Sequence, residues 1–435
     1  MSTSSQTTSP VTVKRFYGWT ALTGAALTAF AGYGLFVLSY GVFLPVMSSE
    51  FGWSRAAVGL GMSLGALCFG LPSPLVGISV GRFGAKINLI IGNLVGALGL
   101  ASLFFAREIW QVYLFYSIAG VGCCFGGSIS ASSVANSWFV RKRSLAIGII
   151  MGSAGLGGFI FPLVITALLN TIGWKGSWLV LGGILFLLGS LVGGWILVKN
   201  KPEEMGQVPD GIYQQMPEQT RTTSIPSGAG QDAKAWTLRK VFSHPTIWLI
   251  IACFATNGLV SGTMLSHQVA YLRDLGSDPM VAASTLSVIA GCGILGSLGS
   301  GFLAMKFHVR HLIMVCLAIR LAALAILLTS QNIAFIYLYA MLFGISNGML
   351  MTLMFTIIAA YYGRSSFARI QGTVFAFTIV LQSAGPTIAG AIHDSTGTYT
   401  PVFIGLSALT VIGLMCVYFA RPPKLSEPEK GLAKA

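Results

Sequence analysis

The chain has 435 residues, of which 54% are hydrophobic and 9% are charged, and its formal net charge is +14. Because about a quarter of the residues in a typical soluble domain are charged, this composition excludes a single ordinary water-soluble core and indicates a protein that is embedded in lipid. We attribute the positive charge to membrane topology and anionic lipid, and we expect no nucleic-acid partner.

Twelve apolar segments are long enough to cross a membrane, since a bilayer core about 30 Å thick needs about 20 helical residues. They lie at approximately 16–47, 55–80, 87–106, 109–137, 144–172, 174–198, 245–272, 279–305, 311–330, 333–361, 367–393 and 399–420. The polar segment 1–13 lacks the charged start of a secretory leader, so we interpret it as a tail and expect no cleaved signal peptide. The predicted fold class is an all-α membrane protein with twelve transmembrane helices.

The Lys and Arg residues predict the orientation, because these residues collect on the cytoplasmic side of membrane helices. If the N-terminus is cytoplasmic, all but five of the 26 lie in segments on the inner side. The exceptions are Arg55, Arg107, Lys175 and Arg273 in outer loops, and Arg320 within a span. We therefore expect both termini in the cytoplasm.

An internal repeat relates the two halves of the chain. With an offset of 224 residues, FAGYGL at 30–35 aligns with FATNGL at 254–259. The same offset pairs three further positions without a gap: Gly77 with Gly301, Gly148 with Gly372, and Pro162 with Pro386. The offset maps each of the first six spans onto the span six places later, which crosses the membrane in the same direction. We therefore expect two parallel six-helix repeats, as in secondary transporters. The predicted segments are a tail (1–15), a six-helix domain (16–198), a cytoplasmic linker (199–244), a second six-helix domain (245–420) and a tail (421–435).

Two loops on the inner side, GISVGRFGAK (Gly77 to Lys86) and GFLAMKFHVR (Gly301 to Arg310), are repeat equivalents. They resemble the signature loop of the major facilitator superfamily, which has a glycine, an Asp-Arg pair, a second glycine and basic residues, and the resemblance covers nearly the whole chain. Both copies lack the aspartate, because Gly81 and Met305 stand in its place. The resemblance implies that the loops take part in gating through Gly77, Arg82, Lys86, Gly301, Lys306 and Arg310.

A second motif, WFVRKRSLAIG (Trp138 to Gly148), is similar to one in the branch of monocarboxylate transporters and oxalate/formate exchangers. We also include its three basic residues, Arg141, Lys142 and Arg143, among the residues predicted to take part in gating. GPTIAGAIHDSTGTYTP (Gly385 to Pro401), FYGW (Phe16 to Trp19) and PEEMGQVPDG (Pro202 to Gly211) are similar to bacterial members of the branch. The resemblance implies a multi-pass protein of the cell inner membrane.

Directly after the triplet, Gly148, Gly152 and Gly155 are spaced to form a stripe without side chains on the fifth helix. Such a stripe lets another helix approach closely in lipid. Static close packing and a moving seam of a gate are both compatible with it.

The resemblance implies that the first, fourth, seventh and tenth helices line a central cavity, where the substrate site of such carriers lies. The substrate-binding candidates near the middle of these helices are Tyr33, Tyr40, Asn257, Ser261 and Asn347. Tyr33 and Asn257 are repeat equivalents, so polar groups are expected on both sides of the pseudo-symmetry axis. Hydrogen bonding between helices is the alternative role.

Few ionisable groups are expected along the substrate path through the membrane. All twelve acidic residues fall in loops, tails or helix ends, so no carboxylate is expected near the middle of the membrane. His267, about two turns before the outer end of the seventh helix, is therefore the candidate for proton coupling and for substrate binding. A structural histidine bonded to a neighbouring carbonyl is the alternative.

The resemblance also implies a cation in the eighth helix, and Ser297 stands at that position. Gln382 is the long polar side chain of the eleventh helix, and both residues are kept as substrate-binding candidates. Arg320 is the one cation well inside a span. It is either a charge for the substrate or for helix pairing, or a side chain that snorkels to the interface from a peripheral ninth helix.

These features predict a secondary active transporter that moves a small organic anion, a monocarboxylate, by alternating access, as proton symport or anion exchange. The alternatives are a carrier or exporter of a neutral or hydrophobic metabolite or drug, and a transporter-like solute receptor. The expected partners are the solute, membrane lipids and protons, and one chain with its own two-domain path is expected to work as a monomer.

We expect no enzyme activity, cofactor or metal, because the sequence has no P-loop, HExxH or cluster of metal ligands. GMSLG (Gly61 to Gly65), GISVG (Gly77 to Gly81) and GCGILG (Gly291 to Gly296) spell catalytic or nucleotide-binding motifs, but they lie within membrane helices. Each of these motifs needs a strand before it, so we interpret all three as glycine packing.

Overall fold

The computed structural model describes residues 16–37, 40–53, 55–210, 236–330 and 332–423. Within these ranges the secondary structure is helical, and none of the described residues lies in a strand. Ten of the described helical runs are long and apolar enough to cross a membrane. The predicted tail 1–15 and most of the predicted linker lie outside the described residues.

The first half of the chain forms six membrane helices. They are α1 (Gly18–Val37, continued by Tyr40–Phe51), α2 (Arg55–Gly70 and Ser73–Phe83), α3 (Ala85–Ser102, followed by a 3-10 turn, Leu103–Phe105), α4 (Ile109–Phe125 and Ser128–Trp138), and α5 and α6 within Arg143–Ile184 and its wider π-helical continuation, Leu185–Leu197. Two short helices, Pro202–Met205 and Leu238–Phe242, lie between the halves.

The second half repeats this arrangement. Its helices are α7 (Pro245–Asp274), α8 (Pro279–Leu303), α9 (Val309–Thr329), α10 and α11 within Ile333–Thr396, and α12 (Thr400–Phe419). Proline occupies the first turn of α7, α8 and α12, where its missing N–H leaves no hydrogen bond unmade. The Asp278 carboxylate caps α8 by accepting a hydrogen bond of 2.7 Å from the Met280 N–H.

Two glycines divide the longest helical runs. Gly173 has φ of +70° and Gly363 has φ of +76°, a region that glycine enters without a steric penalty. They separate α5 (143–172) from α6 (174–197) and α10 (333–362) from α11 (364–396). Gly397, the repeat equivalent of Gly173, has φ of +71° and ends α11 in the same way. The ten apolar runs therefore form twelve membrane helices, which confirms the predicted fold class.

The loops α2–α3, α4–α5 and α8–α9 and the start of the linker meet at one end of the bundle, which we call the basic face. Here the Lys86 N–H donates to Asn200 Oδ1 at 2.8 Å, and the Trp138 indole N–H donates to the Lys199 carbonyl at 2.9 Å. The predicted gating cations Arg82, Lys86, Arg141, Lys142, Arg143, Lys306 and Arg310 lie in these loops or at the adjoining helix ends. The other end of the bundle is called the opposite face.

Hydrogen bonds join the two halves at the basic face and deeper inside the bundle. The Ser73 hydroxyl at the start of the second part of α2 donates to the Gly372 carbonyl of α11 at 2.8 Å. Arg143 Nη1 donates at 3.0 Å to the Ala359 carbonyl near the end of α10, where a cation also complements the helix dipole. A linker residue adds an ion pair, since Glu203 lies 3.5 Å from Arg364. The basic face is thus closed.

Candidate functional site

A cavity of about 600 Å³ lies between the two halves. It is lined from the first half by Tyr33, Met151, Gly155, Gly158, Phe159, Pro162 and Leu163, and from the second half by Leu265, Leu286, Ser287, Ile289, Ala290, Gly293, Ser297, Asn347, Gly348 and Met351. Only four of these residues, Tyr33, Ser287, Ser297 and Asn347, have polar side chains. The cavity is therefore a largely apolar chamber with a few polar groups, the usual character of a small-molecule site.

The predicted glycine stripe of α5 seals the cavity toward the basic face. A Cβ on Gly148 would lie 2.8 Å from the Ser297 carbonyl oxygen and 3.0 Å from the Gly301 Cα. A Cβ on Gly152 would lie 3.2 Å from the Leu298 side chain. Because α5 and α8 belong to different halves, the stripe forms a contact between the halves and does not serve packing inside one half.

The second contact between the halves follows from the repeat. Gly372 of α11 lies against the Ser73 carbonyl, and Gly77 of α2 lies against the Ala368 carbonyl, with no room for a Cβ at either glycine. Gly372 and Gly77 are the repeat equivalents of Gly148 and Gly301. The α2–α11 contact therefore corresponds to the α5–α8 contact.

The cavity lies beyond this seal, toward the opposite face. Along α5, the lining residues Met151 to Leu163 follow Gly148 and are farther from the basic loop 139–142. Along α8, the lining residues Leu286 to Ser297 precede Gly301 and are farther from the basic loop 304–308.

Arg320 of α9 is completely buried behind the wall of this cavity. Its Nη2 donates to Asn347 Oδ1 at 3.0 Å, its Nη1 to Ser261 Oγ at 3.1 Å and to Asn257 Oδ1, and its Nε to Ser346 Oγ at 3.2 Å. The guanidinium carbon lies 4.7 Å from the centre of the Phe343 ring, a cation–π distance. The interpretation that Arg320 snorkels to an interface is therefore wrong, because the side chain points between α7 and α10.

No carboxylate balances this charge among the described residues, whose ion pairs involve Glu203, Asp274 and Asp394 and lie at helix ends or in loops. A buried cation usually needs a charged partner or several hydrogen bonds. The acceptors around Arg320 are neutral amides, hydroxyls and a ring. The interior of the second half therefore carries a net positive charge next to the cavity.

The predicted binding residues divide into three groups. Tyr33, Ser297 and Asn347 line the cavity. Asn257 and Ser261 lie behind it, bonded to Arg320. Ser297 is almost fully buried, and its hydroxyl donates to the Gly348 carbonyl at 3.0 Å.

The third group does not line the cavity. Tyr40 is fully buried in the first half, where its hydroxyl donates to the Val58 carbonyl at 2.8 Å, so a direct substrate contact is not supported. Gln382 of α11 packs against Gly258 and Gly262 of α7, which places it between two helices of the second half. His267 also lies between helices of the second half.

His267 bridges three helices near the opposite face. Its Nε2 lies 3.0 Å from the Pro386 carbonyl of α11 and its Nδ1 lies 3.1 Å from the Tyr399 hydroxyl at the start of α12. The Tyr399 ring stacks on His393, whose centre is 4.2 Å away, and His393 Nε2 lies 3.8 Å from Asp274. A short path of polar groups thus leads from His267 to an exposed carboxylate.

The signature loops hold their cations in different ways. The side chain of Arg82 lies over Phe83, Lys306 over Phe302 and Lys142 over Trp19. Arg310 donates to the Tyr418 carbonyl at the end of α12, and the Arg141 N–H donates to Asp210 Oδ2 at 2.6 Å. Where the family aspartate is missing, a Cβ on Gly81 would lie 3.3 Å from Arg369 Nε of α11.

The sequence pointed to most of the polar residues at this site and to Arg320 as a cation within a span, but it left the role of Arg320 open. The available signal was a charged residue within a span, which is costly in lipid unless it faces the interior of the bundle. Asn257 and Ser261 are four residues apart and share one face of α7, so they could have been read as partners for that charge.

Two halves of six helices, related by a parallel repeat and enclosing a cavity closed at one face, define a membrane transporter architecture. The family model described as Major Facilitator Superfamily matches residues 22–306 and 268–435. This protein belongs to the Major Facilitator Superfamily.

Curated relatives indicate which branch of the superfamily this chain resembles in sequence. The chain is 25% identical to monocarboxylate transporter 13 of Bos taurus, with 91% of this chain and 88% of that protein covered. It is 26% identical to monocarboxylate transporter 4 of Mus musculus, with 95% and 87% covered. The predicted resemblance to this branch is confirmed, whereas these mammalian relatives lend no support to the bacterial assignment. They are transporters and not enzymes.

A solved structure agrees with the fold. The proton:xylose symporter XylE bound to 6-bromo-6-deoxy-D-glucose superposes with a TM-score of 0.74, over 93% of this chain and 96% of that one. The two sequences are 12% identical, so the likeness concerns the fold alone.

Proposed function

We propose that this protein is a secondary active transporter that moves a small organic anion, a monocarboxylate, across the membrane by alternating access. The observation that carries the proposal is the cavity between the halves, which the contact of Gly148 with Gly301 closes toward the basic face. Rocking of the two six-helix domains about this cavity would open one face as it closes the other.

The cargo is proposed from two independent considerations. Relatives that align with more than nine-tenths of the chain are named monocarboxylate transporters. Positive charge from Arg320 stands next to the cavity without a carboxylate partner among the described residues, which favours an anion over a cation. Symport with a proton and exchange of anions are both compatible with these features, and His267 is the proposed site of proton coupling.

We place the basic face in the cytoplasm, because positive residues collect on the inner side of membranes. Both termini are then cytoplasmic, residues 16–198 and 245–420 are the two domains, and the closed basic face makes this an outward-facing state. We propose the cell inner membrane as the location and a monomer, surrounded by lipid, as the working unit.

The apolar lining favours one alternative, a carrier or exporter of a neutral or hydrophobic metabolite. An uptake screen distinguishes a monocarboxylate carrier from a carrier of neutral solutes. Purified protein in liposomes is given labelled monocarboxylates, dicarboxylates and neutral solutes at two pH values. Saturable uptake of a monocarboxylate supports the proposal, uptake of neutral solutes alone supports the alternative, and binding without uptake indicates a receptor.

A further inference from the structure

The orientation of the Asn347 amide is determined by its neighbours. Its Oδ1 accepts a hydrogen bond of 3.0 Å from Arg320 Nη2 and one of 2.9 Å from the Ser261 hydroxyl. A guanidinium has only donors, so a flipped amide would set N–H groups against each other. The amide nitrogen of Asn347 must therefore be the atom directed away from Arg320.

That nitrogen is available to a ligand. Asn347 is half-buried and lines the cavity, whereas Arg320 behind it is fully buried. Among the residues that the structure describes, none accepts a hydrogen bond from the Asn347 amide nitrogen. Arg320 thus offers its charge to the cavity through an oriented N–H donor and through its field, which is weakly screened in a dry interior.

The remainder of the lining limits what the ligand can be. Around Asn347 the walls consist of apolar side chains such as Met351, Ile289, Leu286 and Phe159. One cation can compensate one carboxylate, and a second carboxylate on the same solute would lie unpaired against apolar groups, which is unfavourable. A cavity of about 600 Å³ also leaves room for a sizeable apolar body beside the carboxylate.

We infer that Arg320 is a positioning residue that holds Asn347 as the anion-recognition donor and so selects solutes with one carboxylate on an apolar body. The inference deepens the proposed transport function and rests on it. It assigns to α9 a specificity role in a site whose walls come from α1, α5, α7, α8 and α10.

The test uses three probes of similar size: 4-methylpentanoate, its neutral amide 4-methylpentanamide, and the dicarboxylate adipate. Binding to the full-length protein in detergent is measured by titration calorimetry at low ionic strength. Wild-type protein is expected to bind 4-methylpentanoate about tenfold or more tightly than either other probe, the effect of one charge-assisted hydrogen bond.

Three substitutions separate charge from shape. Asn347→Asp keeps the shape and pairs with Arg320, so the preference for the acid over the amide should vanish while the fold is retained. Arg320→Met should bring that preference to about one, and Arg320→Lys should restore part of it. Asn332→Asp, the same change at the exposed N-cap of α10, is the matched control and should behave like wild type.

A folded Asn347→Asp or Arg320→Met protein that keeps the wild-type preference for the acid would overturn the inference while leaving the transport proposal standing. If wild-type protein binds none of the probes, or binds the amide as tightly as the acid, the proposed solute class is wrong. The uptake screen with smaller acids then decides the transport proposal separately, because it does not depend on these probes.

Discussion

Gly148 of α5 lies so close to Gly301 of α8 that a Cβ on Gly148 would be 3.0 Å from the Gly301 Cα. Their repeat equivalents, Gly372 and Gly77, lie in the corresponding α11–α2 contact. The two halves therefore meet through paired glycine contacts, which can separate without dragging side chains past each other. This geometry suits a seam that opens and closes during transport.

Gly148→Ala should weaken this closure. The new methyl would lie 2.8 Å from the Ser297 carbonyl, and overpacking of this kind costs about 1–3 kcal/mol. A shift of that size changes the balance of the two facing states about 5- to 150-fold and should slow uptake accordingly. Initial uptake rates in liposomes measure the effect.

Gly405→Ala on α12 is the control for helix propensity, because its Cβ would meet nothing within 4 Å. The control should transport like wild type. Equal rates for Gly148→Ala and Gly405→Ala would show that the α5–α8 contact does not limit transport.

Gly81→Asp should supply the carboxylate that the signature loop lacks and so stabilise the contact between α2 and α11. The carboxylate would lie beside the Arg369 guanidinium, which is 3.3 Å from the expected Cβ. An exposed pair of this type stabilises by about 0.2–1 kcal/mol, so the closed basic face should gain population and uptake should slow by up to about fivefold. Gly81→Asn lacks the charge and should show little of the effect.

The salt dependence of uptake tests whether an ion pair with Arg369 causes the effect of Gly81→Asp. Screening at 1 M ionic strength should remove most of the difference between Gly81→Asp and wild type, since the pair is exposed. A difference of the same size at low and high salt would contradict an ion pair as the cause.

His267→Ala should abolish accumulation driven by a pH gradient while leaving exchange of solute for solute, if this imidazole carries the coupling proton. His267→Gln is the more informative of the two variants, because glutamine can still donate a hydrogen bond to the Pro386 carbonyl but does not titrate. Both variants should lose uphill uptake. Unchanged uphill uptake in a folded His267→Gln protein would assign His267 to structure.

Ser297→Arg should shift the solute preference toward dicarboxylates. Ser297 lines the cavity from α8, so the substitution adds a second cation to the side that already has Arg320. Ser297→Met adds similar bulk without charge and separates steric loss from altered selectivity. A well-folded Ser297→Arg protein with wild-type selectivity would count against an anion site at this position.

The number and order of the helices could be predicted from the sequence, because apolar segments and a sequence repeat can be recognised without knowing how the helices pack. Even the boundary at Gly173 was anticipated, since the predicted spans end at 172 and restart at 174. The turn between α10 and α11 was predicted too long. One glycine with positive φ, Gly363, makes it, and nothing in the composition distinguishes this glycine from the many that pack helices.

The site was harder to predict, for a physical reason. Helical periodicity tells which residues share a face, but not which neighbour that face meets. Asn257, Ser261 and Asn347 were recognised as polar groups within the membrane. That they converge on Arg320 depends on the packing of α7, α9 and α10 and on the reach of a long side chain. The same limit applies to Tyr40, because the sequence does not show that its side chain packs within the first half.

The most direct test of alternating access is counterflow in liposomes loaded with unlabelled monocarboxylate. With no pH gradient or membrane potential, alternating access predicts that external labelled solute accumulates transiently above its equilibrium level, and that Gly148→Ala slows this overshoot. If no monocarboxylate that binds the purified protein gives an overshoot, alternating access is contradicted and the protein is a receptor and not a carrier.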